Sequence, residues 1–549
     1  MTQISVIIQT ESWNESLRAN LESLACQTLE YPDFEVLLTT HTADPLEAGL
    51  TRMALPYSCR LIRLAEGGSG ANLYQGVEAT TGRFCLFLKE DQITAPGLLA
   101  EHLQVQLETE GVVGIGRVIF NPRPGSSWYA NQSCSWKNRQ VDAWVKGEPP
   151  ITWIDCLDQN FCASRQALLS NLPQSPHLES ESGDGTAEIE IAFRLVRDGL
   201  RCEYIPGAVC KYEESRDFPT LAKKIMQRGS AYINLWRRQP AMLPELFGNF
   251  YDTSIRAIML RHFLLWLRLS PLFLGMLGSL LQEKVWAKEW FKFLQSYCFW
   301  YGVKQALPDR SIWQRLTYGT PILMYHAFSS TGERASRYIL PQHRFTQQMA
   351  LLKLLGYQTI TLEEYLDYLT TYRLVPERSL VITIDDGYLD NFQLALPVLH
   401  RFGFKATIFT VSDGLGGSNN WDDGSPLTGR LMMSALQARE LQYTGISLGS
   451  HTCSHPKLTE ISLEKSWEEI YRSKTEMERE FGASVQTFAY PHGSYNPSIL
   501  DQVKHAGYLG ACSVKRGLNT SAAPQFELYR TEVFGSTSLF QFLISVWSG

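Results

Sequence analysis

The sequence predicts an α/β protein in which two sheet-containing domains are joined by a helical connector. Residues 1–240 and residues 317–549 both alternate short apolar runs, rich in β-branched side chains, with stretches whose apolar residues recur at helical spacing. Such alternation is typical of a parallel sheet covered by helices on both faces. Residues 241–316 differ, because strongly apolar and aromatic segments replace the alternation there. A length of 549 residues also exceeds what one core usually supports.

In the first domain, the apolar runs 4–8, 34–38 and 84–88 are predicted strands, and residues 16–26 have the periodicity of a helix. The N-terminus therefore resembles a first β-strand more than a signal peptide, since it has neither a basic region nor a long apolar core. This predicts a cytoplasmic location.

The last domain contains six apolar runs separated by helical patterns, which predicts a β/α barrel, complete or partial. The predicted strands are 321–325, 380–384, 406–411, 445–448, 485–489 and 508–513, and the predicted helices include 345–355, 391–402 and 463–481.

The connector has two interpretations. Its apolar run 269–282 is shorter than the roughly 20 residues of a spanning helix, and aromatic residues interleaved with lysines follow over 284–301. One interpretation is a buried helical pair between two domains. The other is an interfacial or re-entrant membrane segment over 257–301, since aromatics and lysines favour the headgroup region.

The amino-acid composition limits the class of protein and the kinds of partner to be expected. Hydrophobic residues make up 44% and charged residues 19%, which is typical of globular chains, and the net charge of -6 argues against a nucleic-acid partner. Eleven cysteines occur without C-x-x-C pairs, so neither a disulfide framework nor a structural zinc knuckle is expected. This pattern favours a reducing compartment.

Metal-ligating side chains follow two predicted strands of the last domain. One strand ends in Asp385 and Asp386, and another ends in His451-Thr452-Cys453-Ser454-His455. Barrel active sites form at the carboxyl ends of parallel strands. Two buried carboxylates there need a cation or a shared proton, and two imidazoles with one carboxylate suit a divalent metal.

Residues 317–549 resemble the polysaccharide deacetylases of the NodB-homology superfamily, carbohydrate esterase family 4. The motifs are TIDDG at 383–387, HTCSH at 451–455 and FAYPHG at 488–493, together with Met324-Tyr325-His326 near the start. The resemblance implies zinc or another divalent cation held by Asp386, His451 and His455, with Asp385 as general base. It also implies an oxyanion site made by the metal and the backbone N–H of His492, which follows Pro491.

Two positions depart from that family. Ala489 replaces the arginine that normally orients the base, and Leu528-Tyr529-Arg530 replaces the motif whose histidine normally protonates the leaving amine. Arg530 is grouped here with the substrate-contacting residues. His326 either lines the pocket or is a core histidine, so the general acid stays unassigned.

The first domain has a first strand with its following helix, then Gly70-Ala71-Asn72, and then the strand 84–88. On these features, residues 1 to about 240 resemble family 2 glycosyltransferases with the GT-A fold, a doubly wound sheet. The resemblance implies a nucleotide-sugar donor contacted by Thr10 and Thr40.

The family's metal-binding Asp-x-Asp corresponds to Lys89-Glu90-Asp91 in this chain. A lysine is unfavourable beside a cation, so Lys89 would instead pair with the diphosphate directly, as a cation in place of the metal. Lys89 and Asp91 are grouped with the nucleotide-sugar contacts, and Mg²⁺ or Mn²⁺ bound with the nucleotide sugar is the alternative. The acceptor-activating carboxylate falls at Glu188 or Glu190. Two interpretations stay open, a divergent active transferase and a degenerate fold that binds a glycan, a nucleotide or a partner.

The sequence as a whole predicts a fusion of a glycosyltransferase-like domain with a metal-dependent N-deacetylase. The expected substrate is an N-acetylhexosamine glycan or a lipid- or nucleotide-linked precursor, on the cytoplasmic side and with possible peripheral membrane contact. Two alternatives remain: an O-acetyl esterase with an inactive transferase-like domain, and a catalytically silent glycan-binding scaffold.

Overall fold

The chain divides into two units in the computed structural model, Met1–Met242 with Arg256–Leu307, and Leu243–Ile255 with Pro308–Gly549. The structure describes residues 2–41, 44–64, 69–147, 150–158, 160–172, 186–214, 216–248, 250–251, 255–280, 287–307, 309–330, 336–422 and 424–548. Most of the expected connector thus belongs to the first unit. The domain boundaries placed at 240 and 316 stay predictions.

The first unit has a sheet of eight strands in the order β3-β2-β1-β4-β7-β6-β8-β5. The strands are β1 (Ile4–Gln9), β2 (Phe34–Thr40), β3 (Ser58–Arg63), β4 (Phe84–Lys89), β5 (Gln92–Thr94), β6 (Val112–Pro122), β7 (Phe161–Ser164) and β8 (Arg201–Glu214). The helices are α1 (Glu15–Leu24), α2 (Asp44–Leu50), α3 (Ser69–Glu78), α4 (Leu98–Glu108), α5 (Trp128–Val145), α6 (Arg165–Asn171), α7 (Thr186–Arg197) and α8 (Phe218–Arg238).

Strands β3, β2, β1 and β4 pair in parallel, so their carboxyl ends lie at one edge of the sheet. The predicted strands 4–8, 34–38 and 84–88 are confirmed as β1, β2 and β4, and the predicted helix over 16–26 is α1. Their side chains form an almost fully buried core, which explains why continuous apolar runs encode them.

Five further helices follow: α9 (Leu243–Gly248), α10 (Ile255–Trp266), α11 (Pro271–Leu280), α12 (Ala287–Ala306) and α13 (Arg310–Thr317). Helix α12 packs closely on α8, because a Cβ at Gly302 would lie 2.0 Å from the carbonyl oxygen of Met226. Lys304 Nζ donates to the carbonyl oxygen of Leu265 at 2.8 Å and so ties α12 to α10. Among the described residues, no helix combines the length and the apolar character needed to cross a bilayer.

The second unit contains strands β9 (Ile322–Tyr325), β10 (Ala327–Ser329), β11 (Ile339–Pro341), β12 (Gln358–Ile360), β13 (Ser379–Ile384), β14 (Ala406–Thr410), β15 (Ile446–Ser450), β16 (Thr487–Ala489), β17 (Gly510–Cys512) and β18 (Thr531–Glu532). Its helices are α14 (Gln342–Leu354), α15 (Leu362–Thr370), α16 (Leu396–Phe402), α17 (Ala435–Leu441), α18 (Leu463–Phe481), α19 (Pro497–His505) and α20 (Leu539–Ser548).

The main sheet of the second unit runs β17-β16-β15-β14-β13-β9-β18, with β12 on the first half of β13, and every pair is parallel. Within the described residues β17 and β18 are not paired as strands, so the sheet is a half-barrel. All six predicted strands of this domain are present, and the α/β fold class is confirmed. The topology places the ends of β9, β13, β15 and β16 at a common edge.

Candidate active sites

The ends of β13 and β15 bring three ligand-type side chains together. Asp386 Oδ1 lies 3.4 Å from His455 Nε2 and 3.6 Å from His451 Nε2. All three side chains are buried, and their ligand atoms lie within 4.8 Å of one another. The predicted metal-ligating set thus converges on one point.

The backbone at this point is held in an uncommon conformation. Asp386, Thr452 and His455 have φ values of 75°, 70° and 63°, in the left-handed region that non-glycine residues seldom occupy. Each such residue costs on the order of 1–3 kcal/mol, and such residues cluster at functional sites. The surrounding half-barrel therefore holds these ligand residues in place, at a local cost in backbone conformational free energy.

The charges of the three side chains fit a divalent cation. Burial, and then the neighbouring Asp385 carboxylate, raise the pKa of Asp386 well above its usual range. Burial lowers the pKa of His451 to about 4, so its imidazole is neutral and available as a ligand. His451 Nδ1 lies 2.8 Å from the carbonyl oxygen of Ala489, and donation there leaves the Nε2 lone pair directed at Asp386.

Asp385 is clamped by Arg530. The Arg530 Nη1 donates to Asp385 Oδ1 at 2.6 Å and Nη2 donates to Oδ2 at 2.9 Å. Burial alone would raise the pKa of Asp385, but the Arg530 charge outweighs it and holds this pKa below the ordinary value. Arg530 is 1% exposed and lies against the base, so its observed contact is with Asp385, although the sequence grouped it with substrate residues.

His326 follows β9 directly beside the base. Tyr325 pairs with Ile384 in the parallel register, and the Asp385 N–H donates to the Tyr325 carbonyl oxygen at 2.9 Å. His326, the first residue after β9, is therefore the neighbour of Asp385 at this strand end. Burial lowers the pKa of His326, and the Asp385 charge opposes that effect.

Two further aromatic rings lie beside the imidazole of His455. The imidazole of His492, which is exposed, has its centroid 4.6 Å from that of His455, and Trp421 packs at 5.3 Å from the same ring. Pro491, buried before His492, places this ring at the end of β16. Trp421 was not predicted from sequence, because its loop carries no motif and only the fold brings it to the ligands.

A second group of potential ligands, Asp413, Cys453 and Glu476, surrounds Arg472. The guanidinium lies 2.6 Å from Asp413 and 3.6 Å from Glu476, and its Nε donates to Cys453 Sγ at 3.2 Å. An arginine already neutralises these groups, so they form an ion-pair cluster.

At the carboxyl edge of the first unit, Thr10 follows β1 and donates to Glu90. Asn14 also donates to Glu90, at 3.3 Å, so this carboxylate is used within the protein. Thr40, at the end of β2, donates to Glu11 at 3.2 Å. The two predicted nucleotide contacts therefore lie on one edge of the sheet.

Lys89 ends β4 at the same edge, and its Nζ donates to the carbonyl oxygen of Leu157 at 3.2 Å. Asp91 has a buried Oδ1 without a hydrogen-bond partner. No Asp, Glu, His or Cys trio of metal-site geometry occurs around Lys89 among the residues described. The Mg²⁺ or Mn²⁺ that the resemblance implied for this edge stays a prediction.

Of the two candidate acceptor-activating carboxylates, Glu190 is bound on both oxygens by Arg194 and Arg238, each at 2.8 Å. Such double pairing favours a structural role. Glu188 is buried in the first turn of α7. Its assignment as catalytic base stays a prediction.

The deacetylase motifs at 383–387, 451–455 and 488–493 lie in a part of the chain that matches a known family. Residues 373–511 match the family described as "Polysaccharide deacetylase". The Bacillus subtilis (strain 168) protein "Putative polysaccharide deacetylase YxkH" is 32% identical over 233 residues, covering 42% of this chain and 78% of that protein. The chain belongs to the polysaccharide deacetylase family. As a deacetylase-family protein, it has a hydrolase domain of the type that acts on acetylated glycans.

Two further proteins are similar to part of this chain. "Poly-beta-1,6-N-acetyl-D-glucosamine N-deacetylase" of Staphylococcus aureus (strain MSSA476) is 26% identical over 233 residues, covering 40% of this chain and 76% of that protein. The solved structure "Streptococcus pyogenes deacetylase PplD in complex with acetate" shares 25% identity with a TM-score of 0.37, covering 42% of this chain and 98% of that one.

Residues 2–231 match the family described as "Glycosyltransferase like family 2". The GT-A resemblance of the first unit is therefore confirmed, together with the multidomain organisation. A deacetylase half joined to a glycosyltransferase-like half supports a role in polysaccharide biosynthesis.

Proposed function

We propose that the second unit hydrolyses the N-acetyl group of an N-acetylhexosamine glycan in a metal-dependent reaction. The observation that carries this proposal is the convergence of Asp386, His451 and His455 next to the Arg530-clamped Asp385. A cation held by the three ligands would polarise the acetyl carbonyl and lower the pKa of water from 15.7 to about 7. Zinc suits the two imidazoles and one carboxylate.

The chain's own residues supply the remaining chemistry. Asp385 takes a proton from the attacking water, and Arg530 keeps both of its oxygens in a fixed orientation. The backbone N–H of His492 donates to the developing oxyanion, which it reaches from the end of β16.

We assign the proton donor to His326. It directly follows β9, beside Asp385, so the proton that the base takes from water and the proton that the leaving nitrogen needs are handled by neighbouring side chains. An amide needs such a donor, because an amine leaves poorly without protonation. Arg530 stands where the family has its usual histidine, and its permanent charge makes it unable to play that part.

Acetate release tests the deacetylase assignment. Zinc-loaded protein should liberate acetate from N-acetylglucosamine oligomers, and the Asp385→Asn variant and chelator treatment should each stop this. The S. aureus relative named as a poly-β-1,6-N-acetyl-D-glucosamine N-deacetylase makes that polymer the first substrate to use. Release from acetate esters alone would replace the proposal with an O-acetyl esterase, and no release from either would leave a silent scaffold.

For the first unit we propose nucleotide-sugar binding at the edge formed by Thr10, Thr40 and Lys89. The family 2 match and the parallel order of β2, β1 and β4 support this placement. Calorimetric titration with uridine and guanosine diphosphate sugars tests it. Absence of heat with every donor would leave only a scaffold role for this half.

We also propose that α10 and α11 contact an anionic membrane surface on its cytoplasmic side. Nine large apolar side chains are exposed on these two helices and their link: Met259, Leu260, Phe263, Trp266, Leu267, Leu272, Phe273, Met276 and Leu277. Arg268 lies exposed between the helices, and Lys288 and Lys292 are exposed on α12. Apolar side chains flanked by basic ones suit an interfacial position next to anionic lipid.

A further inference from the structure

A cavity lies in the second unit, at the edge of the half-barrel opposite the metal centre. Its lining includes Pro321, which precedes β9, and Ser379, the first residue of β13. The metal centre follows the other end of β13, and the six residues of this strand span roughly 20 Å. The cavity measures about 280 Å³, just below the roughly 300–1,000 Å³ of most ligand pockets, so it suits a small ligand or one unit of a larger one.

Two arginines line this cavity, and each is held in place by backbone carbonyl oxygens. Arg315 donates from Nε to Val375 at 2.8 Å and from Nη2 to Leu374 at 2.7 Å. Arg378 donates from Nη1 to Leu355 at 2.6 Å. A guanidinium has more N–H donors than these bonds use, so both arginines keep donors for a ligand.

An acceptor and a hydroxyl complete the polar lining of the cavity. Glu377 lines it and is exposed. Ser379 is 6% exposed, and its buried Oγ has no hydrogen-bond partner. A buried hydroxyl without a partner is unfavourable. Because Ser379 lines the cavity, a polar ligand group placed there can supply the missing hydrogen bond.

Three aromatic side chains supply apolar surface to the same cavity. Tyr318 follows α13 and is 48% exposed, Trp547 of α20 is 57% exposed, and Tyr357 is half-buried. Flat rings beside a few fixed polar groups are typical of sites for small organic ligands. A neutral sugar ring matches this lining, because it has apolar C–H faces and hydroxyls that both donate and accept hydrogen bonds. An isolated anion matches it less well, because the Glu377 carboxylate repels it.

We propose that this cavity is a second glycan-binding site, which holds one neutral hexose unit of the polymer on which the metal centre acts. The aromatic rings contact the C–H face of the sugar, the two arginines donate to its hydroxyls, and Glu377 accepts from them. A polymer bound here stays close to the metal centre, so the effective concentration of its acetylated units there rises. The identity of the polymer rests on the deacetylase function proposed above.

Calorimetry with the full chain tests the site, with N-acetylglucosamine tetramer and inorganic phosphate as probes. The titrated proteins all carry Asp385→Asn, so that the tetramer is not hydrolysed. The metal centre binds the same tetramer, so we expect two binding events. The one at the cavity should weaken at least fivefold in Trp547→Ala and persist in Trp547→Phe, which keeps an aromatic face. Phe540→Ala is the matched control, because Phe540 is 72% exposed on the same helix and does not line the cavity.

Glu377→Gln distinguishes a sugar site from an anion site. Removing the carboxylate takes an acceptor from a sugar, so tetramer binding should weaken. Removing it also takes a repelling charge from an anion, so tighter binding of phosphate in Glu377→Gln would overturn the proposal. Tetramer binding that is the same in wild type, Trp547→Ala and Glu377→Gln would overturn it as well.

Acetate release in chains with Asp385 intact separates this proposal from the deacetylase assignment. In Trp547→Ala, kcat and KM on the N-acetylglucosamine dimer should be unchanged, and KM on the polymer should rise several-fold. If wild type releases no acetate but tetramer binding depends on Trp547, the deacetylase assignment fails and the sugar site stands. If acetate is released and no binding event depends on Trp547, the sugar site fails and the deacetylase assignment stands.

Discussion

Arg530 donates two parallel hydrogen bonds to Asp385, from Nη1 to Oδ1 and from Nη2 to Oδ2. The same guanidinium donates through Nε to the carbonyl oxygen of Ser513 at 2.9 Å, so it is fixed from behind. In the family pattern an arginine near the end of β16 orients the base, and here Ala489 occupies that position. An arginine from the far end of the domain supplies the equivalent contact in this chain.

Replacing Arg530 should therefore alter the acid side of the pH–rate profile. In Arg530→Met, burial acts on Asp385 without a compensating charge, so the pKa of Asp385 rises and the base is protonated at higher pH. We expect the acidic limb of kcat/KM to move upward by about 1–3 pH units. Steady-state acetate release between pH 4 and 9 measures this shift.

Arg530→Met should also be less stable than the wild-type protein. A paired, depressed carboxyl pKa contributes stability above the unfolded pKa, and this contribution is lost as the pH falls through the folded pKa. Breaking a buried pair costs about 3–5 kcal/mol, so Arg530→Met should lower the free energy of unfolding at pH 7. Lys515→Met is the control, since Lys515 pairs with Glu527 on the surface. If the pH–rate profile of Arg530→Met does not move relative to wild type, Asp385 is not the general base.

His326→Ala distinguishes a proton donor from a core histidine. Loss of a general acid should slow amide hydrolysis by roughly 10²–10⁴-fold. Hydrolysis of 4-nitrophenyl acetate should change little, because its phenolate leaves without protonation. Parallel losses on both substrates would assign His326 a structural role only, and His343→Ala, on the exposed face of α14, controls for a general effect of removing an imidazole.

Measuring the metal content of variants distinguishes the metal ligands from the general base. Removal of a supporting hydrogen-bond partner alone typically costs 10–100-fold in metal affinity, so removal of a ligand in Asp386→Ala or His455→Ala should cost at least that much. Asp385→Asn should retain the metal and lose acetate release. Elemental analysis after dialysis gives the result, with Glu476→Gln as the control from the Arg472 cluster. Equal zinc in wild type and Asp386→Ala would contradict the assigned centre.

Sequence reasoning predicted those features whose signal is local. The apolar run of β13 and the two carboxylates after it are contiguous, so the strand and the position of the ligands could be read together. The paired hydrogen bonds between Arg530 and Asp385 could not be predicted in this way, because 145 residues separate the two positions and no spacing rule relates them. The family motif pointed to Ala489 for this contact, and that position contains no charge.

The association of residues 256–307 with the first unit was not predicted either. It depends on the close approach of α8 and α12 at Gly229 and Gly302, which no local pattern in the sequence encodes.

Membrane contact through α10 and α11 gives a direct binding prediction. Trp266 and Phe273 are 73% and 52% exposed, and burying such side chains in an interface contributes about 25 cal/mol per Å². We expect the protein to sediment with vesicles containing phosphatidylglycerol, and less in high salt because the flanking basic residues contribute. Trp266→Ser with Phe273→Ser should reduce the bound fraction several-fold.

The matched control is Tyr443→Ser, because Tyr443 is 92% exposed on the second unit and lies outside the proposed surface. Binding should persist in this variant, since removing an exposed aromatic elsewhere leaves the apolar face of α10 and α11 unchanged. Vesicles of neutral lipid alone separate the two contributions: apolar insertion would remain, whereas the attraction of Arg268, Lys288 and Lys292 would disappear. Equal sedimentation of wild type and the Trp266/Phe273 double variant would exclude these helices as the contact and leave their exposed side chains to a protein partner.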